Sequence, residues 1–405
     1  MNKYKLYIKS EILTRMRIVF LLGAIVSFFF TTGCRDEFMP DLKKYEELLV
    51  VDAMITDEQG PYTVKLSRTS EVNNTSLNPY TGCRVRLAEN TGAIETLTEV
   101  APGTYQTTGE DISAGVGKSY QLMIETPQGE HYSSDFIEMK PKVDIQNVRA
   151  ELQFKESIEY PWPLGGYQFF VSSAPTSEDV NLFWRLEETF EYTSDFKIDF
   201  YFRGMGIEEY PKPDTVFRCW KSQKVNNFYI ESTRALSSSQ VTDKPLHFVS
   251  TETKRLQVRY SLLVKQFNIS DEAYAYWKDI REQIADDDFL FSSQPYQIIG
   301  NIKNDDNPEE QVLGFFTVAS VTEKRIFADR PQNTAFYYDK CVGNTDLRGL
   351  GLLGPDQFPV YLANTPEGIA LASEFCFDCT LWGGELARPE FWEDAKSEKN
   401  NHKNP

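Results

Sequence analysis

Histidine is scarce in this chain. Three occur in 405 residues: His131 in a predicted strand, His247 near a predicted strand start, and His402 in the tail. No HExxH helix is present, nor the Gly-x-Ser-x-Gly elbow, the phosphate loop or the glycine-rich dinucleotide turn. No catalytic constellation stands out, and neither a cofactor nor a metal is expected. The runs Asp286-Asp287-Asp288 and Asp305-Asp306 lack the spaced ligands of a calcium loop and fit solvated turns better. Positive charge is also short, 42 Lys and Arg against 60 Asp and Glu, net −18. An acidic chain repels a phosphate backbone, so nucleic acid is excluded as the expected partner. After residue 33 no apolar run approaches the roughly 20 residues of a membrane-spanning helix.

The stretch that does stand out is Ile18–Phe38. Its apolar core, Ile18–Phe30, is too short to span a bilayer but suits the apolar region of a secretory signal. Small residues Thr31, Thr32 and Gly33 then precede Cys34, a relaxed lipobox. The expectation is cleavage after residue 33, lipidation of Cys34, and a chain held to the membrane by its N-terminus; Met16 is an alternative start. The leader carries Lys3, Lys5, Lys9, Arg15 and Arg17 against Glu11, so removing its +4 takes the net −18 to −22.

The remainder reads as mainly β. Residues 34–46 form a polar tether. From 47 to 140, short alternating runs (Leu48–Ile55, Pro61–Leu66, Cys83–Leu87, Ile94–Val100, Gly103–Gln106, Gly117–Ile124, His131–Met139) are separated by turns every 8 to 12 residues. That spacing predicts an immunoglobulin- or transthyretin-like β-sandwich. Residues 141–396 predict a larger β-rich domain with one or two helices, followed by a disordered tail at 397–405. Phe196–Phe202 alternates, and Leu256–Val264 is apolar enough to be central. Ser270 can cap a helix whose Ala273, Trp277, Ile280 and Ile284 share one face, with Asp271 and Glu272 at its positive end. Arg388–Trp392, with Pro389 in its first turn, predicts a second, short helix.

An exported chain meets an oxidising compartment, where cysteines pair. With Cys34 taken by lipid, Cys219, Cys341, Cys376 and Cys379 are the disulfide candidates, in any of three connectivities. Cys83, alone in the first domain, is expected to be a buried thiol. Two other readings of Cys376-Phe377-Asp378-Cys379 are weaker. A thioredoxin-like redox pair needs a βαβ setting that is missing, and a zinc knuckle needs a second close pair. Tyr160, Trp162 and Tyr201 are candidates for a sugar-stacking platform, set against ordinary packing. Asp214-Thr215-Val216 fits a short O-glycosylation pattern.

The segments YSLLVKQFNISDEAYAYWK, QPYQIIGNI and VLGFFTVASVTEKRI resemble the Bacteroidota lipoprotein family known as domain of unknown function 4249, DUF4249. So do LVVDAMITDEQGPYTVKLSRT in the first domain and CFDC…GG…RPEFW near the end. The resemblance implies an exported lipoprotein of a kind often encoded beside TonB-dependent receptors, and it brings no catalytic residues. Arg35, Asp36 and Glu37 after the lipidated cysteine resemble the surface-export signal of such lipoproteins. The expected location is therefore the outer membrane, lipid-anchored and exposed at the cell surface, with the periplasmic face as the alternative. Three functional readings follow: a non-enzymatic accessory subunit of a TonB-dependent transporter or other outer-membrane complex, a surface glycan- or nutrient-binding lipoprotein, and a hydrolase with an unrecognised pair of carboxylates.

Overall fold

Leu49, Val51, Ala53 and Ile55 are buried while Asp52 between them is exposed, the period-two signature of a strand with one face on a core. The computed structural model describes residues 47–70, 78–109, 111–286 and 297–393. The leader, Cys34, Arg35, Asp36, Glu37, the tether and the tail lie outside the described residues. The described chain is mainly β, with one α-helix.

A long sheet forms the trunk. Across it run Arg218–Lys224, Asn181–Thr193, Arg259–Ile269, Leu313–Asp329, Leu49–Thr56, Thr63–Arg68, Thr104–Gln106 and Thr98–Ala101. Neighbours are antiparallel except at one seam, where Leu49–Thr56 lies parallel to Leu313–Asp329. The seam joins the first described strand to one far along the chain, so residues on either side of position 140 share one sheet and one compact unit.

One face of the trunk carries two further sheets. At the N-terminal end Val51, Ala53, Ile55, Val64 and Leu66 meet Val85, Leu87, Tyr120, Leu122 and Ile124 of a second sheet, a β-sandwich. That sandwich is completed late in sequence: Ile302–Asn304 adds an edge strand beside His131–Ser134, and Val312, Phe316 and Val318 fill its core. The predicted strand Ile94–Val100 is split, with Ile94–Thr96 in one sheet and Thr98–Ala101 in the other. At the other end Trp184, Leu186, Tyr260 and Leu262 pack on Phe169, Val171 and Val249 of a three-stranded sheet, Ile145–Lys155, Leu164–Ser173 and Lys244–Ser250.

On the opposite face the cover is the helix Asp271–Asp286. Ser270 caps it, Oγ accepting from the Ala273 N–H at 3.1 Å. Trp277 packs on Phe183, ring centroids 5.0 Å apart, and Tyr276 on Phe315 at 4.7 Å. The predicted helix face is too long: Ile284 is 61% exposed, because the aromatic bed ends beneath Tyr276 and Trp277.

Main-chain closeness locks the seam. A Cβ on Gly314 would overlap the Val51 carbonyl, and one on Gly300 would overlap the Gly314 carbonyl. Beside them the Asn301 side chain acts as a strand would, accepting from Phe316 N–H and donating to Phe316 O, both at 2.8 Å. Past the end of Leu49–Thr56, Asp57 Oδ1 accepts from Val321 N–H at 2.8 Å and continues the ladder.

The last lobe holds a four-stranded sheet of Phe200–Phe202, Ile207–Glu209, Val360–Thr365 and Gly368–Leu371. Two expectations are corrected here. The alternation from Phe196 becomes a strand only at Phe200–Phe202, since Phe196 and Ile198 pack into the small core around Phe377. Arg388–Trp392 is a single turn, Trp392 N–H donating to Pro389 O at 3.0 Å, because five residues cannot offset the cost of nucleating a helix.

Candidate functional site

The part of the helix-bearing sheet face that the helix leaves open forms a groove of about 770 Å³, within the range of small-molecule sites. Alternation places its floor. Phe183, Arg185 and Glu187 point to this face, while Leu182, Trp184 and Leu186 enter the core behind it. Cross-strand pairing sets Lys265 beside Arg185 and Phe267 beside Phe183. Asp52 and Met54 extend the floor past the seam to Lys65 and Thr63. The helix wall contributes Trp277, and the segment from Lys224 to Phe228 forms the other rim. Phe228 stacks on Phe183, centroids 5.6 Å apart and planes 22° from parallel, so the groove has an aromatic end.

Arg185 stands at that end. Its guanidinium carbon lies 5.4 Å from the Phe183 ring centre and 6.0 Å from that of Trp277. It makes no hydrogen bond or ion pair among the described residues. Solvent reaches the side chain through the groove mouth, yet protein crowds its other sides. That crowding holds its pKa below the ordinary arginine value, opposed only by the charge of Asp52. Its neighbour Lys265 is committed instead, at 2.9 Å from Glu58 and 3.7 Å from Glu323. The lining holds four cations (Lys65, Arg185, Lys224, Lys265) and three carboxylates (Asp52, Glu58, Glu187), a net charge of one positive.

Buried acids among the described residues are partnered within the fold. Glu95 accepts from the N–H groups of Thr108, Gly109 and Ile112 at 2.7 to 3.1 Å, Glu89 pairs with Lys118 at 3.0 Å, and Glu191 with Arg218 at 3.0 Å. Glu188, 1% exposed, sits in a buried charge network. Tyr260 Oη donates to it at 2.6 Å and Gln223 at 2.5 Å, Arg255 Nη1 lies at 3.4 Å, and His247 Nε2 at 3.8 Å. Burial alone would raise its pKa. The His247 ring, the Tyr260 hydroxyl, the Arg255 charge and the Gln223 amide together bring it down to about 2 instead. A folded-state pKa below the unfolded 4.5 means the carboxylate stabilises the fold fully above about pH 4.5, and that share is lost as pH falls toward 2. Glu188→Gln is therefore expected to cost roughly 3 kcal/mol at pH 7 and progressively less at lower pH. Urea unfolding of both proteins at pH 7 and pH 3 checks this, and an equal gap at the two values would count against it.

The cysteine candidates form two bonds, Cys219–Cys379 and Cys341–Cys376. The two cysteines of the CxxC segment thus part company. Cys376 closes the last lobe on itself, while Cys379 ties that lobe to the trunk strand Arg218–Lys224. Cys83 is a buried free thiol, its pKa pushed up by burial. Tyr160 and Trp162 come together with Tyr337, ring centroids 5.3 to 5.8 Å apart, their planes tilted by 33 to 39°. Tyr201 stands on the four-stranded sheet of the last lobe, edge-on to Tyr210 and donating to Glu208. Asp306 accepts from both the His131 N–H and its ring, and Asp305 from Ser133, so this acidic turn fastens a hairpin. Asp287 and Asp288 lie outside the described residues. No group of three metal-ligating side chains occurs among the described residues.

The class the fold defines is a β-sandwich extended into a long trunk, with a groove of ligand size beside its helix. The chain belongs to the DUF4249 family, described as a domain of unknown function, whose model matches residues 35–325. The groove lies inside that span, whereas Cys341, Cys376 and Cys379 lie beyond it. No curated protein matches this chain.

Proposed function

We propose that this protein is a lipid-anchored outer-membrane lipoprotein that serves as a non-enzymatic accessory or binding subunit of a TonB-dependent transporter or another outer-membrane complex. The lipobox-like segment before Cys34 and the family resemblance support the address. The observation that carries the docking role is an exposed apolar patch on the hairpin of Ile145–Lys155 and Leu164–Ser173. Leu152, Phe154 and Trp162 are 38, 61 and 44% exposed and Ile158 is fully exposed, with charged Glu151, Lys155, Glu156 and Glu159 between them. Exposed aromatic and aliphatic residues interspersed with charges match the composition of a protein interface.

Affinity purification from gently solubilised outer membrane through a C-terminal tag, followed by mass spectrometry, tests this. A stoichiometric β-barrel receptor is the expected result, lost in a Phe154→Glu/Trp162→Glu variant. Recovery of the protein alone would overturn the docking reading. A second reading, a surface lipoprotein that captures a glycan or other nutrient, is favoured by the groove, which is large, concave and aromatic at one end.

A further inference from the structure

We infer that the groove binds a small monoanionic ligand, a carboxylic acid carried on an apolar or aromatic body, with Arg185 as the carboxylate receptor. The inference rests on the ligand-binding reading and is independent of any partner protein.

Arg185 is exposed at the groove mouth and its guanidinium has no hydrogen-bond or ion-pair partner among the described residues, so its donors are open to a ligand. Asp52, whose charge acts on it, makes no hydrogen bond to it. The planar guanidinium fork matches a carboxylate with two parallel N–H···O bonds. Phe183 and Trp277 flank it, and cation–π contact holds the fork without using its donors. Beside it the aromatic pair Phe183–Phe228, with Phe267 and Met54, offers a surface for the body of the ligand.

The charge of the lining fixes the valence. Four cations against three carboxylates leave one net positive charge, and Lys265 is already neutralised by Glu58 and Glu323. A phosphate dianion or a polyanion would meet Asp52, Glu58 and Glu187 at close range, whereas a single carboxylate over Arg185 balances the site. A neutral sugar can accept hydrogen bonds from the guanidinium but leaves its charge unbalanced.

The test uses the chain from residue 34 with Cys34→Ser, which keeps it free of lipid. 3-Phenylpropanoate, its neutral amide and inorganic phosphate are titrated by calorimetry at low salt. Saturable binding of the carboxylate is expected, with the amide at least tenfold weaker and phosphate failing to compete. Arg185→Gln should weaken carboxylate binding at least tenfold, and Arg185→Lys should do so less, keeping the charge but not the fork. Thermal unfolding supplies the control: removing an unpaired cation should leave the midpoint unchanged or higher. Equal affinity for amide and acid, wild-type affinity in Arg185→Gln, or no saturable binding by the carboxylate would overturn the inference. So would a clear fall in the Arg185→Gln midpoint, which would make the side chain structural. A failed copurification of a membrane partner would leave each of these outcomes untouched.

Discussion

Gly314→Ala is expected to destabilise the protein by about 4 kcal/mol, enough to unfold a marginal domain. Two costs add. Gly314 has φ of 81°, in the left-handed region, where an L side chain is strained by about 1–2 kcal/mol. The added Cβ would also overlap the Val51 carbonyl of the adjacent strand, and displacing packed main chain costs about 1–3 kcal/mol more. The neighbour cannot yield cheaply, since Val51 is fully buried and its strand is hydrogen-bonded on both sides, to Thr63–Arg68 and to Leu313–Asp329. Gly349→Ala is the control: its φ is not positive, no atom lies within 4 Å of the Cβ position, and the change should be nearly neutral. Urea midpoints of the two variants decide the matter. A loss below 1 kcal/mol at Gly314 would show that the seam is compliant.

That seam also explains which parts of the fold were legible in the sequence. Alternation within six or eight residues reports a strand with one buried face, so Leu49–Thr56, Ser119–Glu125 and the start of Leu313–Asp329 were readable. Ser270 ahead of Asp271, Glu272 and an apolar 3.6-period was readable as a capped helix for the same local reason. Pairing between distant strands leaves no local trace. Nothing in Leu49–Ile55 says that it lies parallel to a strand some 260 residues later, and two segments that look separable in sequence share one sheet. Gly314 itself looked like an ordinary glycine in an apolar run.

The candidate groove was missed for a related reason. Asn181–Thr193 mixes apolar residues with Arg185, Glu187, Glu188 and Glu191 and shows no clean alternation, so no strand and no site was read there. Its signal was there: a cation between Trp184 and Leu186, with Phe183 and Glu187 on the same face. What the sequence withholds is that Lys265 beside it is already paired, leaving Arg185 bare. Tyr160 and Trp162 were visible because they are close in sequence, whereas their partner Tyr337 was not.

Loss of the Cys219–Cys379 bond is expected to cost about 4 kcal/mol, the other large single effect. The cysteines are 160 residues apart, and cross-linking a loop of that size removes about 5 kcal/mol of denatured-state entropy in the chain model. Part is returned because Cys379 has other anchors: Tyr192 Oη donates to its carbonyl at 2.7 Å, and its N–H donates to Val216 O at 2.9 Å. Cys341–Cys376 closes only 35 residues and lies within the last lobe, so its removal should cost about 1 kcal/mol less and act locally. The double variant Cys219→Ser/Cys379→Ser keeps that local bond but frees the lobe from the trunk. Limited proteolysis should then cleave between the trunk and the lobe while the β-sandwich stays protected, and the thermal midpoint should fall. A thiol assay establishes the premise: the denatured, unreduced chain with Cys34→Ser should present one thiol, Cys83, and five would mean that neither bond forms. If the bonds form and the double variant still melts with the parent, the trunk and lobe are held by Tyr192 and the strand edge alone, and the disulfide adds only kinetic protection.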